Sequence, residues 1–375
     1  MKILDSKFMK GFIKMADDGF QQGWHERNGG NLSYRLKAEE VEMIRPRLNA
    51  PGEWQPIGTE VPGLAGEFFL VTGSGKYFRN IAVDPEACLA IIELDDKGVN
   101  YRIRWGLVEG GRPTSELPTH LMNHEVKKKL TNGRHRVIYH AHTTNTIALT
   151  FVLPLDDKVF TRELWESATE CPVVFPDGVG VVGWMVPGGR EIAVKTAELM
   201  KKYDVVIWAH HGMFCSGEDF DLTFGLLHTV EKSAEILVKI GGYLIFYSIL
   251  ILVIRNTPEI PAPARLFFSG AMEITTGIRT VSDSLTYPYS AIAAAAIFSF
   301  GGFSAMSQTN AVIRIHRSSS GSAGRTISCG GRQNSVHEKT AGLSIRQYLL
   351  WKIAHASLTA AVMAVLTGVL RFSIF

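Results

Sequence analysis

The residues best suited to chemistry are the histidines of VIYHAHTTN, residues 137–145. Val137, Ile138 and Tyr139 favour a strand. Strand side chains alternate between faces, so His140 and His142 project from the same side, close enough to share one divalent cation. An isolated HxH more often marks a core histidine beside a loop-edge one, so a metal site needs more ligands. YDVVIWAHHGMF offers one, because its strand ends in His210 and His211 before a glycine. Three histidines on rigid strands with an open position describe a catalytic zinc site, and spacing leaves His210 and His211 equally eligible. Glu116, where the helical pattern TSELPTHLMNHEVKKKL begins, could be a displaceable ligand, a base, or only first-turn compensation of the helix dipole. RNGGN, TGSGK and PTSE are turns or helix starts whose backbone N–H groups and hydroxyls suit an anion; TGSGK lacks the spacing of a phosphate-binding Walker loop.

The elements that must carry these residues alternate in type. A helical pattern at 5–25 precedes NGGNLSYRL, where glycines turn into a strand. FFLVTGSGKYF is a buried strand entering a glycine loop, and YRIRWG alternates as an exposed one. Thr114 or Ser115 are the N-cap candidates of the TSELPTHL helix. CPVVFP is expected as a strand, 190–202 and 219–240 as helices. The fold class expected is α/β, with a mixed, mainly antiparallel sheet flanked by helices; no regular βαβ repeat suggests a dinucleotide-binding order.

A chain of 375 residues has room for more than one domain. A net charge of +3 gives no argument for nucleic acid. The four cysteines, Cys88, Cys171, Cys215 and Cys329, form no CxxC pair, so neither a zinc ribbon nor a disulfide scaffold is indicated. The amphipathic start lacks the apolar core of a signal peptide, and a cytoplasmic enzyme is expected. Up to Gly242 there are 28 basic and 32 acidic residues, a net of −4; beyond it there are 11 and 4, a net of +7. Two kinds of protein meet there, residues 1–242 and 243–375.

The motifs WHERNGGNLSYRL, FFLVTGSGKYFRN, PTSELPTHL, RVIYHAHTTNTIALT, FTRELWESATECPVVFPDGVG and HHGMFCSGEDFDLTFGLLHTVEKSAEILVK resemble the rhamnulose-phosphate branch of the class II, zinc-dependent aldolase family. Fuculose-phosphate aldolases and pentulose-phosphate 4-epimerases share that family, and their activities are the alternatives on the same scaffold. The resemblance covers residues 5–240. It implies zinc held by His140, His142 and His211, a catalytic carboxylate at Glu116, and a phosphate pocket at Asn28, Asn31, Ser74, Gly75, Thr114 and Ser115. It further implies that Glu170 serves the aldehyde end of a neighbouring subunit's site, within a homotetramer. The reaction implied is retro-aldol cleavage of a phosphorylated ketose, L-rhamnulose 1-phosphate, to dihydroxyacetone phosphate and L-lactaldehyde, with no Schiff-base lysine.

Nothing after Gly242 shares that resemblance. Three runs lack Asp, Glu, Lys and Arg: 240–254, 284–313 and 353–370. A membrane span needs about 20 apolar residues; the first and third runs fall short, and the second is diluted by polar residues. Residues 318–336 read as a flexible linker. LFFSGAMEITTGIRTVSD and AIFSFGGFSAMSQTNAVI resemble a gate-type repeat of bacterial integral membrane proteins, including sporulation proteins. The tail is therefore expected to be hydrophobic, partly helical and unrelated to the enzyme. The alternative to a soluble cytoplasmic enzyme is a membrane-associated fusion with impaired catalysis.

Overall fold

The computed structural model describes residues 2–108, 110–311 and 345–372. It divides into two compact units, residues 1–238 and 239–375. The expected linker 318–336 lies outside the described residues.

The first unit is built on a nine-stranded sheet: β1 (Asn31–Arg35), β2 (Gln55–Pro56), β3 (Phe68–Thr72), β4 (Leu89–Leu94), β5 (Asn100–Gly106), β6 (Val137–Ala141), β7 (Gly180–Val182), β8 (Val205–Trp208) and β9 (Gly212–Gly217). The spatial order is β2-β5-β4-β3-β1-β6-β9-β8-β7. Every pair is antiparallel except β7 and β8. Those two are joined through the helix Arg190–Met200, the one crossover the parallel pairing requires. β3, β6 and β9 are buried along their whole length, which explains their near-continuous apolar character. Phe12, Phe69, Tyr139, Trp208 and Phe214 are among the fully buried side chains, each contributing about 1.5–3 kcal/mol of transfer free energy.

Register brings the chemistry together. Asn31 in β1 pairs with His140 in β6, and Ala141 pairs with Met213 in β9. The YDVVIWAHHGMF segment is a hairpin rather than one strand, closing with Trp208 opposite Gly212. His210 takes a left-handed conformation, φ 64°, to make the turn. CPVVFP is not a strand: Cys171–Val174 is a short helix. Pro172 at its start has no N–H for an interior ladder but has a φ suited to a first helical turn. The helix after PTSE begins at Leu117, with Glu116 at the N-cap position; Thr114 instead accepts the Glu116 N–H through Oγ1 at 3.3 Å.

The helix expected at 219–240 runs from Phe220 to Asn256. Gly241 and Gly242 each cost a helix about 1 kcal/mol, too little to end one continued by the uncharged run from Tyr243. Leu227, Val230 and Ala234 on its first half are buried in the core of the first unit.

In the second unit the helices Ala262–Met272, Ile274–Ser284, Tyr289–Phe300 and Ile345–Phe372 pack on one another. Gly277 allows close approach, since a Cβ there would lie 2.6 Å from the Gly270 Cα. Ser299 donates to Thr359 Oγ1 at 2.9 Å. Among the described residues, three helices are long and apolar enough to cross a membrane: Phe220–Asn256, Tyr289–Ala311 and Arg346–Gly368. The first and third are longer than the uncharged runs 240–254 and 353–370 because helix extends past charges that bound those runs; the second lies within the run 284–313.

Candidate metal centre and acid–base site

The β6 register leaves His140 fully buried and His142 just past the strand end, and the β8–β9 turn brings His211 to them. One ligand atom from each histidine lies within 4.8 Å of the others. His210, the equally spaced alternative, is exposed; its Nδ1 is 3.1 Å from Thr150 Oγ1 and its ring packs on Phe151. The left-handed turn thus separates two adjacent histidines that spacing alone could not rank.

Two of the three rings are held from behind. His140 Nδ1 donates to the Met213 carbonyl at 3.1 Å, and His142 Nδ1 lies 2.5 Å from Glu26 Oε1. His140 also stacks on Phe214. Gly29 is required beside His142, because a Cβ there would come within 2.8 Å of its Nδ1. Gly30, at φ 74°, makes the turn that leads into β1.

The group fits a divalent metal on one specific observation. Nε2 of both His140 and His211 is buried with no hydrogen-bond partner. Orphaned buried nitrogens are costly unless something occupies their lone pairs. Burial holds His140 well below the ordinary histidine range and lowers His211 to about 4, keeping both neutral, the form that ligates.

Glu116 is the acid–base candidate beside the cluster. Its Oε2 lies 3.8 Å from His140 Nε2 and accepts Asn31 Nδ2 at 2.8 Å. Burial raises its pKa, only partly offset by the Asn31 bond and the nearby His142. A carboxyl raised in this way binds a proton more readily, which suits a group that must both take and give one.

The remaining sequence candidates fall into two groups. Asn31 and Thr114 are buried at the site; Asn28, Ser74, Gly75 and Ser115 are exposed on the loops around it. A bridge between Gly73 and Pro113, with the Ser74 N–H donating to the Arg112 carbonyl at 2.8 Å, holds the TGSGK turn against PTSE. Glu170 is exposed at the start of the Cys171–Val174 helix and accepts from Thr169 Oγ1 at 3.4 Å. No contact within the chain joins Glu170 to the histidines among the described residues.

Sequence reasoning missed Glu26 and a polar group of Ser33, His120 and His124 behind Asn31. Glu26 carried no signal beyond its place in WHERNGGN. The spacing of Glu116, His120 and His124, four apart along one helix face, was a readable sign of the second group.

Residues 11–238 match the family described as Class II Aldolase and Adducin N-terminal domain. The chain is 52% identical over 238 residues to rhamnulose-1-phosphate aldolase of Mannheimia succiniciproducens, covering 64% of this chain and 88% of that one. It is 50% identical over 238 residues to rhamnulose-1-phosphate aldolase of Klebsiella pneumoniae subsp. pneumoniae, covering 64% and 86% respectively. The crystal structure of a sugar-phosphate aldolase from Thermotoga maritima superposes with a TM-score of 0.53 at 28% identity, covering 62% of this chain and 93% of that one. With a match spanning most of the chain and relatives of this identity covered over most of their length, the chain belongs to the family of class II aldolase and adducin N-terminal domains.

Proposed function

We propose that the first unit is a zinc-dependent aldehyde-lyase that cleaves L-rhamnulose 1-phosphate to dihydroxyacetone phosphate and L-lactaldehyde. The observation that carries this reading is Glu116 Oε2, 3.8 Å from an orphaned His140 Nε2. It sits in a stretch of 238 residues that is 52% and 50% identical to two proteins named rhamnulose-1-phosphate aldolase.

His140, His142 and His211 hold the ion through imidazole nitrogen, a donor set suited to Zn²⁺. A bound cation supplies Lewis-acid stabilisation of the negative charge left on the three-carbon fragment when C3–C4 breaks. The protein's own groups do the rest. The C4 hydroxyl gives its proton to the Glu116 carboxylate as the C3–C4 electron pair passes to the dihydroxyacetone side. Glu116 then delivers that proton to C3, and in the reverse direction removes it. Asn28, Asn31, Ser74, Gly75, Thr114 and Ser115 bind the phosphate through backbone and side-chain donors, which positions C3 against Glu116. Glu170, exposed and away from the histidines of its own chain, acts at the aldehyde end of a neighbouring subunit's site in a homotetramer.

Residues 1–242 operate in the cytoplasm, and residues 243–375 form an unrelated apolar segment that associates with membrane. The test is a cleavage assay on soluble and membrane fractions, with L-rhamnulose 1-phosphate and its fuculose isomer as substrates. Trapped lactaldehyde, loss of cleavage with EDTA, recovery with Zn²⁺ and resistance to borohydride are expected. Inactivation by borohydride in the presence of substrate would point to a Schiff-base lysine and overturn the metal assignment. Equal cleavage of both isomers would overturn the substrate.

A further inference from the structure

Behind Asn31 lies a chain of buried polar groups that the proposed chemistry does not use. Ser33, on β1, has its Oγ 2.6 Å from His120 Nδ1 and 2.8 Å from His124 Nε2. His120 Nε2 bonds Asn31 Oδ1, and Asn31 Nδ2 donates to Glu116 Oε2 at 2.8 Å. Ser33, His120 and His124 are all at most 1% exposed, so no solvent competes for these bonds. A buried network of this kind is costly if any member is unsatisfied, and so specifies one arrangement.

The donors can be placed in order. An ionised Glu116 accepts only, so the Asn31 amide must turn its NH₂ to the carboxylate and its oxygen to His120. His120 Nε2 is therefore the protonated nitrogen. Burial lowers His120 to about 3 and His124 well below the ordinary range, so both rings are neutral. A neutral His120 protonated on Nε2 has a bare Nδ1, which takes the Ser33 hydroxyl proton. With that proton used, Ser33 can only accept from His124, whose Nε2 must carry its hydrogen. Every bond in the series points the same way, from His124 through Ser33, His120 and Asn31 to Glu116.

We infer that His120, set by Ser33 and His124, is a positioning residue: it fixes the Asn31 amide so that one N–H holds Glu116 and the other faces substrate. Without it the amide is free to rotate its oxygen toward the carboxylate, which would push Glu116 off the geometry needed at C3. The role rests on the proposed function of Glu116 as proton carrier.

Two arms test it. Imidazole ¹⁵N NMR of the whole protein is expected to show His120 and His124 neutral and protonated on Nε2; a His120 protonated on Nδ1 would overturn the order of bonds. That arm needs neither a variant nor activity. The second compares two substitutions of similar size. His120→Gln puts its amide nitrogen where Nε2 stood and keeps the donor to Asn31; His120→Asn mimics Nδ1 and keeps only the Ser33 side. His120→Asn is expected to lower kcat for cleavage and for C3 proton exchange by about 10- to 100-fold, the scale of a small misplacement, with KM and metal content little changed. His120→Gln should stay near the parent. Equal losses in both variants would show a packing role and overturn the inference. In a Glu116→Gln background, His120→Asn should cost nothing further, and the same loss in both backgrounds would also overturn it. Undiminished exchange in Glu116→Gln alone, with this chain of bonds intact, would instead overturn the role of Glu116.

Discussion

Glu26 Oε1 lies 2.5 Å from Nδ1 of His142, although 116 residues separate them along the chain. The contact leaves Nε2 as the nitrogen of His142 free to ligate, much as the Met213 carbonyl does for His140. Partners of this kind fix the ring's orientation and tautomer and raise its basicity.

Glu26→Gln should therefore weaken binding of a divalent metal by about 10- to 100-fold. Glu26 is exposed on a loop, so the fold should survive the change. Competition against a graded chelator reads the affinity directly. An unchanged affinity would make Glu26 a surface acid that happens to touch His142.

Glu116→Gln keeps the size of the side chain and removes its basicity. A general acid–base group typically contributes about 10²–10⁴-fold, and a loss of that order in turnover is expected with metal content unchanged. The sharper readout is exchange of the C3 proton of dihydroxyacetone phosphate with deuterated water. Exchange near the parent rate would reduce Glu116 to an N-cap carboxylate.

Much of this site could be read before any coordinates because its period is short. His140 and His142 share a strand face, and Glu116 opens a helix; both are local facts of backbone geometry. The choice of His211 over His210 was not local. It depends on a left-handed residue in the β8–β9 turn, a conformation that nothing in AHHG marks more strongly at one histidine than the other. Glu26 and Ser33 were invisible for a related reason: Glu26 reaches His142 from the loop before β1, and Ser33 on β1 reaches His120 and His124 on the helix Leu117–Leu130, contacts that only the tertiary fold sets. The short helix at Cys171 was misread because a run of apolar residues fits a strand or a helix equally, and Pro172 was not weighed. The helix expected at 219–240 continues to Asn256, because the cost of Gly241 and Gly242 is small beside the apolar run that follows.

Acid should destabilise the first unit through histidines that must fold uncharged. Burial lowers His25 to about 3 and His120 to about 3, while unfolded histidine titrates near 6.5. Between those values the unfolded chain binds more protons, so stability is full above about pH 6.5 and is lost as pH falls towards 3. Each ring can contribute up to ~1.4 kcal/mol per pH unit across that window. Thermal melts of metal-depleted protein should be flat from about pH 8 to about pH 7 and fall below. His25→Gln, which removes one such ring, should make the fall shallower. A profile flat down to about pH 5 would mean that these rings charge without unfolding the protein.

Removing residues 243–375 should leave the chemistry in place and improve solubility. All candidate ligands and phosphate contacts precede Gly212. A chain ending at Gly242 also keeps Leu227, Val230 and Ala234, the buried positions of the Phe220–Asn256 helix in the first core. What it loses is apolar and uncovered: Ile245 is 64% exposed, Leu252 60% and Val253 58%. Apolar surface on that scale is expected to seek a membrane or to aggregate. The full chain should therefore pellet with membranes, while the shorter one remains in the supernatant with metal bound and Glu116-dependent exchange measurable. Sedimentation, metal content and exchange on both chains decide it. A shorter chain that is unfolded beside a soluble, active full chain would show that the second unit is part of the enzyme's fold.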